Sequence, residues 1–390
     1  PSLHCGAGYF KAPRKSYTPS TKKILGYWRT RAARLAASCG RAGGALLNHL
    51  KTTDTVADIE DIRVALGQDK LNFYGFSYGT YIAEVYATLH PDRVRRFVLD
   101  GVVDPTRGGY DTYGGDQDVA AEGAIDAFYQ WVAKHDRAYG LGRHWRAVRA
   151  AYRAELRKAA TKPWHGRLGP SDITDAMTNA VYYASEWPEV ASALSRLHRR
   201  GNGADMLDLY RQGDASDDNG YAVYLATSCT DDASFPASFA TWVRDARRLD
   251  WHHRFLSWSN AWYGMPCRTW PAAKGTPVAV SGAAVTSKIL LVNETRDAAT
   301  PFSGGLATRR LFPTASLVAG VGGTTHAGSL SGVPCVDNTI AQYLADGTVP
   351  ARAPGDGYDL GCPRVPPPAA RAARVMSVHH GMPGNGRFPR

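Results

Sequence analysis

The chain has 390 residues, of which 44% are apolar, so it can bury one large core or two medium ones. This composition excludes a wholly disordered, collagenous or coiled-coil protein, and no uninterrupted run of 18 apolar residues predicts a membrane span. The formal net charge is +11, but most lysines and arginines are scattered through helical patterns, so we expect no nucleic-acid partner.

The six cysteines indicate an oxidising compartment and a secreted or cell-surface protein. No two of them form a CxxC pair, which disfavours a zinc site, and we expect neither a metal nor a cofactor. Sequential pairing, which joins the first cysteine to the second, the third to the fourth and the fifth to the sixth, would enclose three local segments. The alternative is six buried free thiols. The predicted disulfides are Cys5–Cys39, Cys229–Cys267 and Cys335–Cys362. No signal peptide is visible before Pro1, so we expect that processing removed one or that the chain is a fragment.

The first part of the chain alternates helix and strand patterns. Apolar residues recur at helical spacing over residues 54–66, and a short apolar run at 71–74 predicts a strand. A second helical pattern covers 80–90, where Pro91 ends it, and residues 94–99 predict another strand. Strand, helix and strand with short loops indicate a parallel sheet covered by helices.

The middle of the chain has few strand patterns. Residues 120–134, 145–158 and 189–199 predict long helices, rich in Tyr and Trp that mostly pack between them. Sheet patterns return later, with strands predicted at 287–292 and 315–319. The order of the elements therefore predicts an α/β fold with a helical insertion.

A serine nucleophile is predicted at the first strand–helix junction. Gly75, Ser77 and Gly79 form a G-x-S-x-G element, with a predicted strand before it and a predicted helix after it. Acyl transfer needs a serine that projects from such a sharp turn, and the glycines remove Cβ clashes there. The same pattern occurs in ordinary glycine-rich turns, but the strand–turn–helix context favours a serine hydrolase of the α/β-hydrolase type.

The acid and the base of such a hydrolase follow the serine in the order Asp, then His. Asp297 and His326 each lie in a loop just after a predicted strand, at the edge where parallel sheets place their sites. His326 would take the proton from Ser77, and Asp297 would hold the imidazole tautomer. Three rival carboxylates also follow predicted strands: Glu294, Asp100 and Asp104.

The oxyanion hole requires two backbone N–H groups. One should come from Tyr78, directly after the nucleophile, and the other from a glycine-rich loop upstream. Residues 1–53 contain no such loop and look helical, so the early strands of the sheet are also expected to be missing.

Several stretches of the chain occur in the same order in one known family. They are Gly75-Phe76-Ser77-Tyr78-Gly79-Thr80-Tyr81, Leu99-Asp100-Gly101-Val102-Val103-Asp104-Pro105, Asp297-Ala298-Ala299-Thr300-Pro301 and the segment 335–350. By these stretches, residues 1–362 resemble the secreted tripeptidyl aminopeptidases of actinobacteria, α/β-hydrolases grouped with the prolyl aminopeptidases.

The resemblance implies an enzyme that releases short peptides from free amino termini through an acyl-enzyme. We expect the protein to be a monomer. The helical insertion would then be a cap over the active site. By analogy, acidic cap residues would bind the ammonium group of the peptide substrate, and Asp231 and Asp232 are the candidates; a solvated acidic turn is the alternative.

The expected fold is an α/β-hydrolase parallel sheet that lacks its N-terminal strands and carries a helical cap. Residues 1–105 and 276–362 would form the two parts of the hydrolase core, and residues 106–275 the cap. Residues 363–390, rich in Pro, Ala, Gly and Arg, predict a disordered tail.

Family members carry the glycine-rich oxyanion loop upstream of the equivalent of Pro1, and this chain lacks it. We therefore expect the 390-residue chain alone to be poorly active. Two other functions remain open: a carboxylesterase-type hydrolase on the same scaffold, and an inactive truncated member of the family.

Overall fold

A parallel sheet forms the centre of the computed structural model, which describes residues 2–6, 8–213 and 218–370. Within these residues the sheet has five strands, and their order in space follows their order in the sequence. The strands are β1 (Leu71–Phe76), β2 (Val94–Asp100), β3 (Ile289–Glu294), β4 (Ala315–Val321) and β5 (Leu360–Pro363). Each neighbouring pair is parallel, so the loops that follow β1 to β4 lie along one edge, which we call the carboxyl rim.

Helices precede, connect and cover these strands. They are α1 (Lys22–Gly43), α2 (Thr52–Ala65), α3 (Tyr78–Leu89), α4 (Gly109–Asp111), α5 (Gln117–Lys134), α6 (Asp136–Tyr139), α7 (Trp145–Thr161), α8 (Pro170–Tyr182), α9 (Trp187–Arg200), α10 (Ala204–Gln212), α11 (Asp218–Asp231), α12 (Phe239–Asp250), α13 (Ser257–Gly264), α14 (Phe302–Leu311) and α15 (Pro334–Asp346). Short 3-10 helices cover Gly44–His49, Pro91–Arg93, Ala184–Glu186 and Met265–Thr269, and a short π-helix covers Thr112–Asp116.

The strands are buried on both faces, as their apolar runs predict. Phe97 and Leu99 of β2 pack on the face that α3 and α14 cover, whereas Val98 between them packs on the face that α15 covers. The same alternation separates Leu291 from Leu290 in β3. Side chains of a strand point alternately to its two faces, so both layers of helices are needed to shield these residues from water.

The strands predicted from the sequence are all present: β1, β2 and β4 extend one or two residues beyond their predicted ends, and β3 begins and ends two residues later than predicted. The structure adds β5 (Leu360–Pro363), which the sequence did not predict. This strand is short and contains a glycine and a proline, so it lacks the apolar run that indicates a strand. The disulfide between Cys335 at the start of α15 and Cys362 in β5 ties it to the rest of the sheet region.

The long helices predicted in the middle of the chain are present as α5, α7 and α9, and they share one apolar core. A second core joins α1 and the residues before it to the helices around α11 to α13, with Trp28 and Trp262 stacked at its centre. We assigned residues 1–105 to the hydrolase core from the sequence. Because α1 packs with the helical region and α2 with the sheet, we now propose that the core begins near α2.

The six cysteines form three disulfides, and these are the pairs predicted by sequential pairing. Such bonds persist in oxidising surroundings, so they fit an extracellular protein. Within the described part of the chain, no helix is both long and apolar enough to cross a membrane. Most of the predicted tail, residues 371–390, lies outside the described residues.

Candidate active site

Ser77 lies at the junction of β1 and α3, in a backbone conformation that few residues adopt. Its φ of 53° and ψ of −122° turn the chain sharply, and its hydroxyl does not cap the helix. A Cβ on Gly75 would lie 2.7 Å from the carbonyl oxygen of Gly79, so the turn requires glycine there. Non-glycine residues at positive φ are strained, and such strain concentrates at functional sites. The turn thus leaves the serine hydroxyl available for chemistry.

Asp297 and His326 come together at the carboxyl rim. Asp297 follows β3 and His326 follows β4, and Oδ2 of the aspartate lies 2.9 Å from Nδ1 of the imidazole. Both are buried, with 1% and 5% of their surface exposed. The other carboxylate oxygen, Oδ1, accepts hydrogen bonds from the N–H groups of Ala299 and Thr300 at 2.8 and 3.0 Å. The loop therefore holds the carboxylate aimed at the ring.

Thr300 adds a hydroxyl to this pair. Its Oγ1 donates to Asp297 Oδ2 at 2.9 Å and lies 3.2 Å from His326 Nδ1. Sequence reasoning missed this residue, although an aspartate followed three positions later by threonine is a common local hydrogen-bonding pattern in turns. The hydroxyl restricts the carboxylate to the orientation in which it meets the imidazole.

The charge on His326 depends on two opposed effects. Burial by itself would lower the pKa of His326, but the adjacent Asp297 carboxylate raises it, and the net pKa lies above the ordinary histidine value. Asp297 thus stabilises the imidazolium, the form that a general base reaches after it has taken a proton. The backbone N–H of His326 also donates to the carbonyl of Tyr182 at 2.7 Å, which links the loop to α8.

The Ser77 turn and the His326 ring meet at Gly101, just after β2. The Ser77 N–H donates to the Asp100 carbonyl at 3.0 Å. A Cβ on Gly101 would lie 3.0 Å from Cε1 of His326, so glycine lets the ring approach the backbone beside the serine. In the described part of the chain, no hydrogen bond joins Ser77 Oγ to His326. Such bonds are often long in free enzymes and tighten when substrate binds.

Tyr78 is the first residue of α3, directly after Ser77. The N–H groups of a first helical turn point towards the entry of the helix and attract negative charge. Its phenol extends to the helical region, where the hydroxyl donates to Asp231 Oδ2 at 2.7 Å. This hydrogen bond ties the start of α3 to the end of α11.

Asp231 and Asp232 make their hydrogen bonds to other parts of the protein. Asp231 accepts from the N–H of Thr52 at 2.6 Å as well as from the Tyr78 phenol. Asp232 accepts from the N–H of Gly109 at 2.5 Å and from the N–H of Ser234 at 2.7 Å. Neither residue belongs to the wall of the cavity that contains Ser77. The structure joins Asp297 to His326 and places Ser77 at the end of the neighbouring β1–α3 turn, but it leaves Asp231 and Asp232 outside the cavity wall.

The rival carboxylates have other partners. Glu294 Oε1 accepts from the N–H of Val365 at 3.1 Å, and burial raises the pKa of Glu294 to about 7. Asp100 accepts from the N–H of Ser329 at 2.8 Å, and burial raises its pKa to about 6. Asp104 binds the N–H of Thr106 at 2.9 Å in its own turn. Only Asp297 among these carboxylates is hydrogen-bonded to His326.

A cavity of about 480 Å³ opens at Ser77, between the carboxyl rim and the helices. Its wall is rich in aromatic side chains: Phe10, Tyr17, Tyr78, Tyr182, Tyr183, Tyr210, Tyr224 and Tyr263. Three aspartates also line it: Asp104, Asp116 and Asp175. Among the described residues, no Lys, Arg or His belongs to this wall. A ligand that carries a positive charge and apolar groups would match such a lining.

Asp175, on α8, is the cavity carboxylate that both an arginine and a tyrosine hydroxyl hold in place. Its carboxylate accepts from the Tyr17 hydroxyl at 2.8 Å and pairs with the buried guanidinium of Arg14. Arg14 also binds Asp172 at 2.7 Å, so one guanidinium is shared by two carboxyl groups. Burial raises the pKa of Asp175 in spite of Arg14. No pattern in the sequence marks this residue, because only helix packing brings it to the cavity.

Two models of known protein families match parts of the chain. Residues 33–246, more than half of the chain, match the family model described as the alpha/beta hydrolase fold. The chain belongs to the α/β-hydrolase fold family. Residues 254–356 of this α/β-hydrolase also match the model described as TAP-like protein. The parallel sheet with helices on both faces agrees with this family.

Three curated relatives illustrate the range of activities in the family. The chain is 37% identical over 358 residues to a tripeptidyl aminopeptidase of Streptomyces lividans, covering 88% of this chain and 65% of the relative. It is 29% identical to the serine protease Hip1 of Mycobacterium tuberculosis, covering 80% and 62%. It is also 29% identical to a carboxylesterase B of the same species, covering 90% and 69%. The chain thus spans slightly under two thirds of the length of the first of these relatives.

Proposed function

We propose that this α/β-hydrolase is a serine aminopeptidase, which releases short peptides from free amino termini through an acyl-enzyme. The observation that carries the proposal is the buried Asp297–His326 hydrogen bond of 2.9 Å beside the strained Ser77 turn. A nucleophile, a base and an orienting acid in this order are what acyl transfer requires. The 37% identity to a tripeptidyl aminopeptidase supports the peptide substrate.

The proposed reaction begins when Ser77 Oγ attacks the scissile carbonyl carbon. His326 Nε2 takes the hydroxyl proton as the new C–O bond forms, and Asp297 stabilises the resulting imidazolium. The backbone N–H of Tyr78 donates to the oxyanion. When the C–N bond breaks, the imidazolium returns its proton to the leaving amine. Water then attacks the ester, again with His326 as base, and Ser77 is regenerated.

The cavity supports a substrate with a free amino terminus. Asp104, Asp116 and Asp175 line it, and an ammonium group would gain charge-assisted hydrogen bonds there. Asp116 is already paired with Arg107 at 3.0 Å, whereas the Asp175 cluster has one carboxylate more than it has cations. We therefore propose Asp175, and no longer Asp231 or Asp232, as the group that binds the substrate ammonium. The aromatic wall would contact the apolar side chains of the peptide.

A carboxylesterase-type activity is the second candidate. The same serine, histidine and aspartate would cleave an ester, and a fold does not fix its substrate. The aromatic lining of the cavity and the 29% identity to a carboxylesterase B favour this alternative. It differs from the first candidate in one respect: an ester without a charged end would form no charge-assisted hydrogen bond with the aspartates of the cavity wall.

Two measurements test these proposals. A fluorophosphonate probe should label the chain, and Ser77→Ala should abolish labelling, whereas Ser259→Ala in the same cavity wall should not. Cleavage of a tripeptide anilide with a free amino end is then compared with the amino-blocked anilide and a butyrate ester. Preference for the free amino end supports the aminopeptidase. Equal or better cleavage of the ester supports the esterase, and absence of labelling supports an inactive family member.

We also propose that the protein works as a secreted or cell-surface monomer. The three disulfides support an extracellular site of action, since such bonds are rare in reducing compartments. Residues 106–275 are proposed to act as a cap, because several of their helices form the cavity wall opposite the carboxyl rim. Sedimentation velocity of the purified chain, and its recovery from culture medium against cell lysate, test these two statements.

A further inference from the structure

An open groove of about 750 Å³ lies beside α12, and none of its wall residues belongs to the Ser77 cavity. Leu25 of α1 and Phe239 and Val243 of α12 form its apolar floor. Trp251, just after α12, stands at its edge with 74% of its surface exposed. Tryptophan is highly buried on average, so an exposed indole beside an apolar groove indicates a surface that another molecule covers.

Arginines surround this groove. Arg244, Arg247 and Arg248 line it, and the guanidinium of Arg29 lies 4.9 Å from the centre of the Phe239 ring. Arg244 pairs with Asp245 at 3.0 Å. Within the described part of the chain, Arg29, Arg247 and Arg248 are exposed and form no ion pair. The groove therefore combines an apolar floor with an excess of exposed positive charge.

The two properties together identify the chemistry of the occupant. Arginines at the rim favour an anionic partner, and the net charge of +11 adds a long-range attraction. A soluble polyanion would neutralise the arginines but would leave Trp251 and the apolar floor in water. The boundary of an anionic bilayer offers both groups at once, because indole rings prefer the headgroup level and guanidinium groups bind lipid phosphate.

We propose that the α12 groove docks this protein on membranes that contain anionic phospholipids. Helix α12 would lie along the surface, with Trp251 in the headgroup region and Arg247 and Arg248 against the phosphates. The Ser77 cavity shares no wall residue with the groove, so docking would leave the hydrolase site free for substrate. This inference stands or falls independently of the proposed peptidase activity.

Cosedimentation of the full chain with vesicles tests the proposal. The wild-type chain should sediment with phosphatidylglycerol–phosphatidylcholine vesicles, should release at high salt, and should stay soluble with phosphatidylcholine alone. The double charge reversal R247E/R248E should lower the partition coefficient roughly 30-fold or more, since each cation near an anionic surface contributes about a factor of 5. Trp251→Ala should weaken binding without changing the salt dependence.

The matched control is R143E/R157E, which makes the same charge change at two exposed arginines near α7, outside the groove. This control should bind vesicles nearly as wild type, and all variants should retain wild-type hydrolysis of a soluble substrate. Equal losses of vesicle binding in both double variants would show that the net charge alone causes the loss. This result would overturn the proposal. Binding to dextran sulfate without binding to vesicles would assign the groove to a soluble polyanion instead.

Discussion

The carboxyl rim and the helical region contribute to the cavity in different ways. At the rim, Asp297 accepts hydrogen bonds from two N–H groups of its own loop and contacts His326, and each residue follows a strand end by only a few positions. In the helical region, Asp175 reaches the cavity only because α8 packs against residues 10–17, far away in the sequence. Under the proposed function, the rim would supply the chemistry and the helices would supply selectivity. Rim variants should therefore lower kcat, and helix variants should raise KM.

The largest expected effect is at the acid. Asp297→Asn should lower kcat by about 10⁴-fold with little change in KM, because an amide favours the wrong imidazole tautomer and cannot stabilise the imidazolium. Steady-state kinetics on a tripeptide anilide measure both constants. Glu294→Gln, three residues earlier, is the matched control and should stay within a few-fold of wild type. A comparable loss in both variants would contradict the assignment of Asp297 as the acid.

A smaller effect is expected in the helical region. Asp175→Asn should lower kcat/KM for free amino-terminal peptides by roughly 10- to 100-fold, chiefly through KM, because one charge-assisted hydrogen bond is lost. Amino-blocked substrates should be cleaved as by wild type. The control is Asp116→Asn, whose carboxylate is already paired with Arg107. If Asp175→Asn lowers the cleavage of free and amino-blocked substrates equally, Asp175 does not bind the amino end, and the proposed division of roles between rim and helices is wrong.

Thr300 tests how much catalysis depends on the orientation of the Asp297 carboxylate. Thr300→Val keeps the shape of the side chain but removes the hydroxyl that donates to Asp297 Oδ2 at 2.9 Å. We expect roughly a 10-fold decrease in kcat and an unchanged KM, since the two N–H groups on Oδ1 still hold the carboxylate. Thr178→Val, also in the cavity wall, should leave kcat unchanged. A change in KM with kcat intact would place Thr300 among the binding groups.

The last expected effect concerns stability and not catalysis. The carboxyl of Glu294 is enclosed by glycines, and a Cβ on Gly320, Gly323 or Gly328 would come within 3 Å of it. Burial raises the pKa of Glu294 from 4.5 to about 7. Between these values the folded chain holds a proton that the unfolded chain has released, so rising pH favours unfolding. The expected slope is about 1.4 kcal/mol per pH unit for one proton.

Glu294→Gln mimics the protonated side chain and should remove this slope. Urea unfolding of both proteins between pH 4.5 and 8 measures it, and the variant should gain stability relative to wild type as the pH rises to about 7. Asp346→Asn, at an exposed carboxylate on α15, is the control and should leave the slope between pH 4.5 and 7 intact. Parallel pH curves for Glu294→Gln and wild type would show that Glu294 is ionised in the folded state throughout.

The sheet was more predictable than the helical region, for a physical reason. A buried parallel strand needs a short apolar run between turn residues, and β1 to β4 each have one. The strand β5 lacks such a run and was missed. The helices α5, α7 and α9 were recognised from their spacing, but the burial of Arg14 with Asp172 and Asp175 has no local signature. The sequence therefore predicted elements that neighbouring residues determine, and it missed features that depend on contacts between residues far apart in the chain.

The sequence by itself determined the order and spacing of Ser77, Asp297 and His326 relative to predicted strands, since the ends of parallel strands must share one edge. It also determined the pairing of the cysteines, because each pair brackets one local segment. Only the tertiary structure decided which of four carboxylates meets His326, and only it shows that Asp175 lines the cavity whereas Asp231 and Asp232 do not. A carboxylate's partner depends on side chains that folding brings within about 3 Å, and such contacts leave no periodicity in the sequence.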